Sequence, residues 1–444
     1  MTRIRSLDLA RFQQKVIPWA MKGGLALLDQ GIFSGSNFVI SILLARWMSA
    51  EQYGMYADAF AVFLFLLNFH QALLLEPMLV FGSSAYRRCL HGYMKVLVLL
   101  HLGMTFVMAL GLCISAVIVS KVGQGSGLSG ALLGVAFATP TVLLLWLIRR
   151  AFYLKLSPAP SVRAALIYCV LTMGGLALVY RYHYLSAFSA FLLMGFGGLG
   201  ASIVLLQYLM SELSSNETTP PLLDIWRRHW RYGRWALGAN ALMWIPINAF
   251  YPILSKLSGM TQAGELKALM NLASPMLQAC AALHMLLLPY SARVFEARGP
   301  EGINLVLKRM TLLCAGCAIP YWMMVLAFQR SAFRVLYSGR YTDVAYLLPV
   351  VALASVAGSA FYGPCIALRS IEAPNSIFAA VLISSCIAVA VGIPLTWAWG
   401  VSGAVWGIAL SESLAFVTAL MLARRKCRFA LQTEPALAAL STNE

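Results

Sequence analysis

Apolar runs of roughly 20 residues recur along the whole length of this 444-residue chain. A helix of that length crosses the ~30 Å hydrocarbon core of a bilayer. Lipid offers no hydrogen bonds to the backbone, so each run must be a helix that bonds its own peptide groups. A composition of 60% hydrophobic and 11% charged residues excludes an ordinary soluble globule. The predicted spans are 24–46, 53–83, 95–120, 127–148, 162–180, 185–210, 235–257, 265–290, 305–327, 344–368, 375–397 and 401–423.

The Lys and Arg residues are distributed unequally between the two sides of this plan. With the N-terminus inside, 25 of the 33 fall on the cytoplasmic side and 8 on the other. Such a bias predicts that both termini are cytoplasmic. It also accounts for the net charge of +17 without nucleic acid, because anionic lipid headgroups are the partners of cytoplasmic positive charge.

The chain divides at one long polar break, residues 211–234, which holds a linker and a basic, Trp-rich amphipathic segment. We predict an N-terminal six-helix bundle with its own amphipathic segment at 1–210, a cytoplasmic linker at 211–234, and a C-terminal six-helix bundle with a cytoplasmic tail at 235–444. An offset of 211 residues aligns Asp29 with Asn240, and a one-residue gap then aligns Gly54 with Gly264. Two repeats of six helices share one orientation in the membrane. The predicted fold class is therefore all-α, with twelve transmembrane helices in two parallel bundles around a central cavity.

Two polar stripes indicate what lines that cavity. The first helix carries Gln30, Ser34, Asn37 and Ser41, and the eighth carries Lys267, Asn271, Ser274 and Gln278, both at spacings of 4, 3 and 4. Each set shares one helix face. Hydrogen bonding between packed helices is the simpler explanation for any single residue. Two stripes at equivalent places favour a hydrated cavity, whose predicted substrate-binding residues are Gln30, Asn37, Asn68, Gln71, Asn240, Asn248, Lys267, Asn271 and Gln278.

Acidic side chains inside the spans form a second candidate group. Glu412 lies near the middle of the last span, where an ionised carboxylate needs a partner, a proton or water. Asp29, Asp58 and Glu76 lie nearer the ends of their helices, where headgroup contact is the alternative. We predict that Asp29, Asp58, Glu76 and Glu412 couple transport to an ion.

Enzymatic and metal-dependent functions find little support in the sequence. His70, His101 and His284 fall in spans, but no two of them share metal-ligand spacing, so a hydrogen-bonded structural histidine is the default for each. The match of Gly195, Gly197 and Gly200 to a dinucleotide-binding fingerprint lies inside a helix and indicates close helix packing instead. No Walker A loop, nucleophile elbow or paired catalytic carboxylates occur. We expect no enzyme activity, no metal site and no bound cofactor, with a proton or sodium gradient as the energy source.

Short motifs in the same regions resemble a known family. They are SNF at 36–38, LLAR at 43–46, SAEQYG at 49–54, ALLLEPM at 72–78 and GVSGA at 400–404. They are similar to segments of bacterial polysaccharide (O-antigen and exopolysaccharide type) flippases, which belong to one superfamily with MATE exporters and the lipid II flippase.

The resemblance implies alternating access in the bacterial inner membrane. It implies a lipid-linked oligosaccharide on a polyprenyl diphosphate carrier as cargo, for surface polysaccharide or lipopolysaccharide synthesis, with a polymerase and glycosyltransferases as partners. Amide side chains suit sugars, and Lys267 suits the diphosphate. A MATE-like exporter of cationic small molecules is the alternative, with the acidic residues as its sites. A membrane-embedded transferase would need a larger outer loop than this chain offers.

Overall fold

The computed structural model describes residues 24–25, 28–83, 85–122, 126–154, 157–212, 219–371 and 373–441. These residues form helices and short connections, and no strand occurs among them. The protein is an all-α, polytopic membrane protein, as predicted.

Twelve long helices follow one another along the chain. In the first half, α1 is Leu28–Trp47, α2 combines Ala50–His70, a π-helical turn at Gln71–Leu75 and Glu76–Ser83, α3 is Leu90–Lys121, α4 is Ser126–Leu154, α5 is Ala159–Arg181 and α6 is Ala187–Glu212. In the second half, α7 combines Leu222–Asn248 and Phe250–Ser258, α8 and α9 divide Met260–Ala327, α10 is Leu348–Ser370, α11 begins at Pro374, and α12 ends at Ser441. A short helix, Gln329–Tyr337, and a 3₁₀ turn, Thr342–Leu347, connect α9 to α10.

Two glycines separate helices that otherwise run on without a loop. Gly299 (φ 56°, ψ −148°) ends α8 and Gly400 (φ 56°, ψ −132°) ends α11. Only glycine adopts these dihedrals without strain, so each break is encoded in the sequence. Ten stretches of the described residues are long and apolar enough to cross a membrane, and one of them, Asn375–Cys427, holds both α11 and α12. The helix outside those ten is α8. The prediction of twelve helices is confirmed.

The helices group into two compact units. Unit 1 comprises residues up to Ile40 and Val62–Asn240, and unit 2 comprises Ser41–Ala61 and Ala241–Glu444. The chain therefore passes between units inside three helices, α1, α2 and α7. The predicted boundaries of the two six-helix bundles at 210 and 235 stay a prediction.

Unit 1 is built around α4, which packs against α3 and α6. Glycines on α6 bring backbones close: a methyl group built on Gly198 would lie 3.1 Å from Cα of Val142, and one on Gly195 would lie 3.2 Å from Cα of Ala138. The interpretation of this glycine-rich run as a helix-packing surface is confirmed.

Unit 2 is built around α10, which packs against α8, α9 and α12. Gly407 of α12 lies against Gly392, where a methyl group on the former would come 2.7 Å from Cα of the latter. The first part of α2, up to Ala61, belongs to this unit. The backbones of Gly54 and Gly264 are in contact there, and a methyl group built on Gly264 would lie 3.5 Å from Cα of Gly54. These are the two glycines that the repeat alignment pairs.

Candidate functional site

Asp29 of α1 has its counter-charge inside unit 1. Its Oδ2 forms a 2.8 Å ion pair with Nη2 of Arg149 and accepts a 2.6 Å hydrogen bond from the hydroxyl of Tyr153. The carboxylate is fully buried, and the Arg149 side chain is 6% exposed. A buried carboxylate is tolerated when a cation and a hydrogen-bond donor both reach it. The predicted coupling residue is therefore neutralised by its own protein, and its role in ion coupling stays a prediction.

Arg149 is held in place by aromatic rings as well as by Asp29. Its guanidinium lies 4.2 Å from the centre of the Phe33 ring, which in turn stacks on Tyr168 at 5.0 Å. The Tyr168 hydroxyl donates a 3.2 Å hydrogen bond to Oδ1 of Asn37. The polar face of α1 thus continues into an ordered cluster in unit 1.

The remaining predicted residues of unit 1 lie along α1, α2 and α7. Gln30 donates a 3.0 Å hydrogen bond to Ser34, one turn further along α1. Asn240 donates a 3.4 Å hydrogen bond to Oε1 of Glu76. Asn68 and Gln71 are half-buried.

The π-helical turn changes the geometry that the sequence predicts for α2. On an ideal helix, Asp58 and Glu76 would share one face, since 18 residues make five turns. The π turn at Gln71–Leu75 widens one turn and rotates everything beyond it. Asp58 also lies in unit 2 and Glu76 in unit 1, since the boundary between the units falls between Ala61 and Val62.

His229, on the amphipathic first part of α7, is hydrogen-bonded to this turn. Its Nδ1 donates to the carbonyl oxygen of Leu73 at 2.9 Å, and its Nε2 accepts from the hydroxyl of Tyr93 at 2.7 Å. Burial lowers the pKa of His229 to about 4, so the ring is neutral at pH 7. Both ring nitrogens are thereby satisfied.

A basic pocket lies beside the same amphipathic stretch. It has a volume of about 480 Å³ and is lined by Arg227, Arg228 and Arg231, together with Asp224 and Tyr86. The guanidinium of Arg228 lies 5.8 Å from the Tyr86 ring centre. Exposed arginines on a helix that also exposes Trp230 fit a membrane surface with anionic headgroups.

In unit 2, Asn271 of α8 belongs to a closed hydrogen-bonded triangle. Its Nδ2 donates to the Tyr53 hydroxyl at 2.8 Å, its Oδ1 accepts from the Ser41 hydroxyl at 3.0 Å, and Ser41 and Tyr53 are 3.0 Å apart. All three side chains are buried. In this conformation Asn271 joins α8 to α1 and α2, and its predicted contact with substrate stays a prediction.

Lys267 lies one turn before Asn271 and has aromatic rather than acidic neighbours. Its Nζ lies 4.4 Å from the centre of the Phe60 ring and 5.7 Å from that of Tyr251. Among the residues that the structure describes, no carboxylate forms an ion pair with it. The positive charge is stabilised by ring faces, which leaves it available to an anion.

The two predicted coupling residues of unit 2, Asp58 and Glu412, also form no ion pair among the described residues. Asp58 is 5% exposed, and its Oδ1 has no hydrogen-bond partner within the described chain. Glu412 of α12 faces Gly358 of α10, where a methyl group on the glycine would lie 3.0 Å from Oε2. The described ranges contain no ion pair to Glu412 either. Asn248 is half-buried, and Gln278 is exposed.

Sequence reasoning missed two contacts that connect distant parts of unit 1. Arg149 forms an ion pair with Asp29, 120 residues away. His70 and His101 are hydrogen-bonded to each other at 2.9 Å across 31 residues of sequence. Spacing along one helix gives no signal for either contact, because each joins different helices.

Comparisons with solved structures agree on the fold. The chain is similar to an inward-facing multidrug resistance MATE family transporter of the MOP superfamily, at a TM-score of 0.77 and 10% identity, with 91% of this chain and 96% of that one covered. It is similar to the eukaryotic MATE transporter AtDTX14, at 0.65 and 16% identity, with coverage of 95% and 99%. It is also similar to the lipid II flippase MurJ in an inward closed conformation, at 0.63 and 12% identity, with coverage of 91% and 87%.

No protein-family model and no curated protein sequence matches the chain. Identities of 9–16% among these structural neighbours establish the fold alone. The protein has the fold that MATE transporters share with MurJ, and this fold is the one that the sequence motifs predict.

Proposed function

We propose that this protein is a flippase that turns a lipid-linked oligosaccharide from the inner to the outer leaflet of the bacterial inner membrane. The observation that carries the proposal is Lys267, a cation inside a membrane helix that lies against aromatic rings and forms no ion pair among the described residues. A charge at such depth is costly unless a ligand or partner offsets it. A carrier diphosphate would supply the missing anion.

The cargo's sugars would meet the amide side chains of the predicted cavity. Asn248 is half-buried and Gln278 is exposed, so both can form hydrogen bonds with a cargo. The fold supports transport as such, since the solved structures it resembles include exporters and one lipid flippase. Alternating access driven by a proton or sodium gradient is part of the proposal.

The unequal distribution of Lys and Arg predicts the orientation of the protein in the membrane. With both termini in the cytoplasm, the arginine-lined pocket beside α7 faces anionic headgroups of the inner leaflet, where basic residues are stabilised. Reporter fusions at Thr433 and Ser215 should be active only in the cytoplasmic form. A periplasmic signal at either position would contradict this orientation.

Depletion of the protein in its native host tests the cargo directly. We expect lipid-linked oligosaccharide to accumulate in lipid extracts while surface polysaccharide disappears, with both restored by a plasmid-borne copy. Sensitivity to cationic dyes should stay unchanged. Normal polysaccharide together with increased dye sensitivity would overturn the proposal in favour of a MATE-like exporter.

A further inference from the structure

Two imidazole rings form a hydrogen-bonded pair inside unit 1. His70 ends the first part of α2 and His101 lies on α3, with 2.9 Å between Nε2 of the former and Nδ1 of the latter. The rings meet edge to face at 87°, and both side chains are fully buried. Nε2 of His101 lies 3.0 Å from the carbonyl oxygen of Pro140 on α4. The pair therefore links three helices.

The hydrogen-bond chain fixes which nitrogens carry protons. A carbonyl oxygen can only accept, so Nε2 of His101 must be protonated and its Nδ1 must be the acceptor. Nε2 of His70 then donates, and Nδ1 of His70 is left as a bare lone pair. That atom has no hydrogen-bond partner in the part of the chain that the structure describes.

Helix packing alone does not account for a buried ring nitrogen without a hydrogen-bond partner. Buried polar atoms in native proteins nearly always have partners. His229, also in unit 1, follows that rule with both of its ring nitrogens bonded. His70 breaks it at the residue before the π-helical turn Gln71–Leu75, and π turns concentrate at functional sites.

We propose that the His70–His101 pair is a proton-binding site of the transporter. When water reaches this part of α2, Nδ1 of His70 takes one proton from it, no bond within the pair breaks, and the pair carries one positive charge. The proton leaves to water again when the transport cycle exposes the site elsewhere. This inference rests on the proposed transport function and names the proton as its coupling ion.

Other ionisable groups lie on the helices around the pair. None of them hydrogen-bonds or ion-pairs with either ring among the described residues. They are Asp58 and Glu76 on α2, His91 and Lys95 on α3, Arg149 and Arg150 on α4, and His229 on α7. The two rings are thus in hydrogen-bond contact with each other and, through His101, with the carbonyl oxygen of Pro140.

Nuclear magnetic resonance of ¹⁵N-histidine-labelled protein in nanodiscs tests proton binding without any substrate. At pH 8 we expect an unprotonated Nδ1 on His70 and a protonated Nε2 on His101. As the pH is lowered from 8, one proton should bind and shift the signals of both rings together. Two rings that stay neutral at every pH at which the protein remains folded, or that take up two protons independently, would overturn the proposal.

His70→Gln separates proton binding from packing. The glutamine amide can donate to Nδ1 of His101 as the imidazole does, but it cannot take up a proton. We expect the thermal unfolding temperature to stay within a few degrees, the shared titration to vanish, and polysaccharide export to fall at least tenfold. His183→Asn, which removes an exposed imidazole, is the matched control and should leave export unchanged.

The outcomes for the two proposals are distinct. Full export by a well-folded His70→Gln variant would overturn the proton site and leave the flippase assignment intact. Absence of any lipid-linked oligosaccharide phenotype in cells that lack the protein would overturn the flippase assignment, while the titration of the pair stays measurable.

Discussion

The two units differ in whether the charged side chains within their helices are paired. In unit 1, Asp29 is neutralised by Arg149 and receives a hydrogen bond from Tyr153. In unit 2, Lys267 lies against aromatic rings, and Glu412 lies against a glycine, with no ion pair to either among the described residues. Unit 1 therefore contains a paired charge that serves its own folding, whereas unit 2 contains charges that folding alone does not explain.

This difference indicates which charged residues should be tested for a role in transport. When a buried charge is paired, the attraction to its partner offsets most of the free energy lost on desolvation. An unpaired one inside a membrane helix is retained only when an ion, a proton or a ligand compensates for it at some stage. Substitution of the paired charge in unit 1 should therefore affect stability first, and substitutions of the unpaired charges in unit 2 should affect transport first.

The largest expected effect is that of Glu412→Gln, which should abolish transport. The amide fills the same volume beside Gly358 but can carry neither charge nor proton. Expression and thermal stability should stay at the wild-type level, because the substitution also removes a half-buried carboxylate that has no ion pair among the described residues. Polysaccharide export at the wild-type rate would show that the charge of Glu412 is dispensable.

The next effect is a loss of stability in unit 1. Arg149→Met should lower the free energy of unfolding by about 3–5 kcal/mol, because it leaves the buried Asp29 carboxylate without its cation. Lys267→Met removes a cation that has no ion pair within the described ranges, so the expected loss is that of its cation–π contacts, roughly 0.5–2 kcal/mol. Denaturant unfolding in detergent measures both. Equal losses in the two variants would contradict the contrast between the units.

A smaller effect should follow from crowding Glu412. Gly358→Ala places a methyl group 3.0 Å from the carboxylate oxygen, which must shift to admit it. We expect a severalfold decrease in export and a destabilisation of about 1–3 kcal/mol. Gly316→Ala on α9 is the control, since a methyl group there meets nothing within 4 Å. Similar losses in both variants would show that the methyl group acts through general helix packing.

The smallest effects concern the α8 stripe. Asn271→Ala breaks the contacts with Ser41 and Tyr53 and should cost roughly 0.5–1.5 kcal/mol for each hydrogen bond. Gln278→Ala removes an exposed amide and should leave stability within about 0.5 kcal/mol, with export reduced by a small factor. Reduced stability for Gln278→Ala would show that its side chain has a packing role.

The helices of this fold could be predicted from the sequence because lipid imposes a simple rule on apolar length. Even the break between the last two spans is encoded, by Gly400. In the sequence this glycine is recognisable only as part of a family motif. The pairing of Gly54 with Gly264 in the repeat alignment anticipates two glycines that touch in unit 2.

The site was harder to predict because its chemistry depends on contacts between helices. The stripe on α1 is real as a helix face, but its residues bond to different partners: Asn37 to Tyr168 in unit 1, and Ser41 to Asn271 in unit 2. Asp58 and Glu76 would share one face of an ideal helix, but a π turn lies between them and no residue type in the sequence indicates it.

We propose that Lys267 binds an anionic cargo, and charge substitution at this position tests this proposal most directly. Export of surface polysaccharide should be measured for Lys267→Arg and Lys267→Glu at matched expression. The account predicts partial export with arginine and none with glutamate, because like charges in a water-poor site repel far more strongly than at an exposed surface. Export that survives Lys267→Glu, together with altered resistance to cationic dyes, would contradict the flippase assignment.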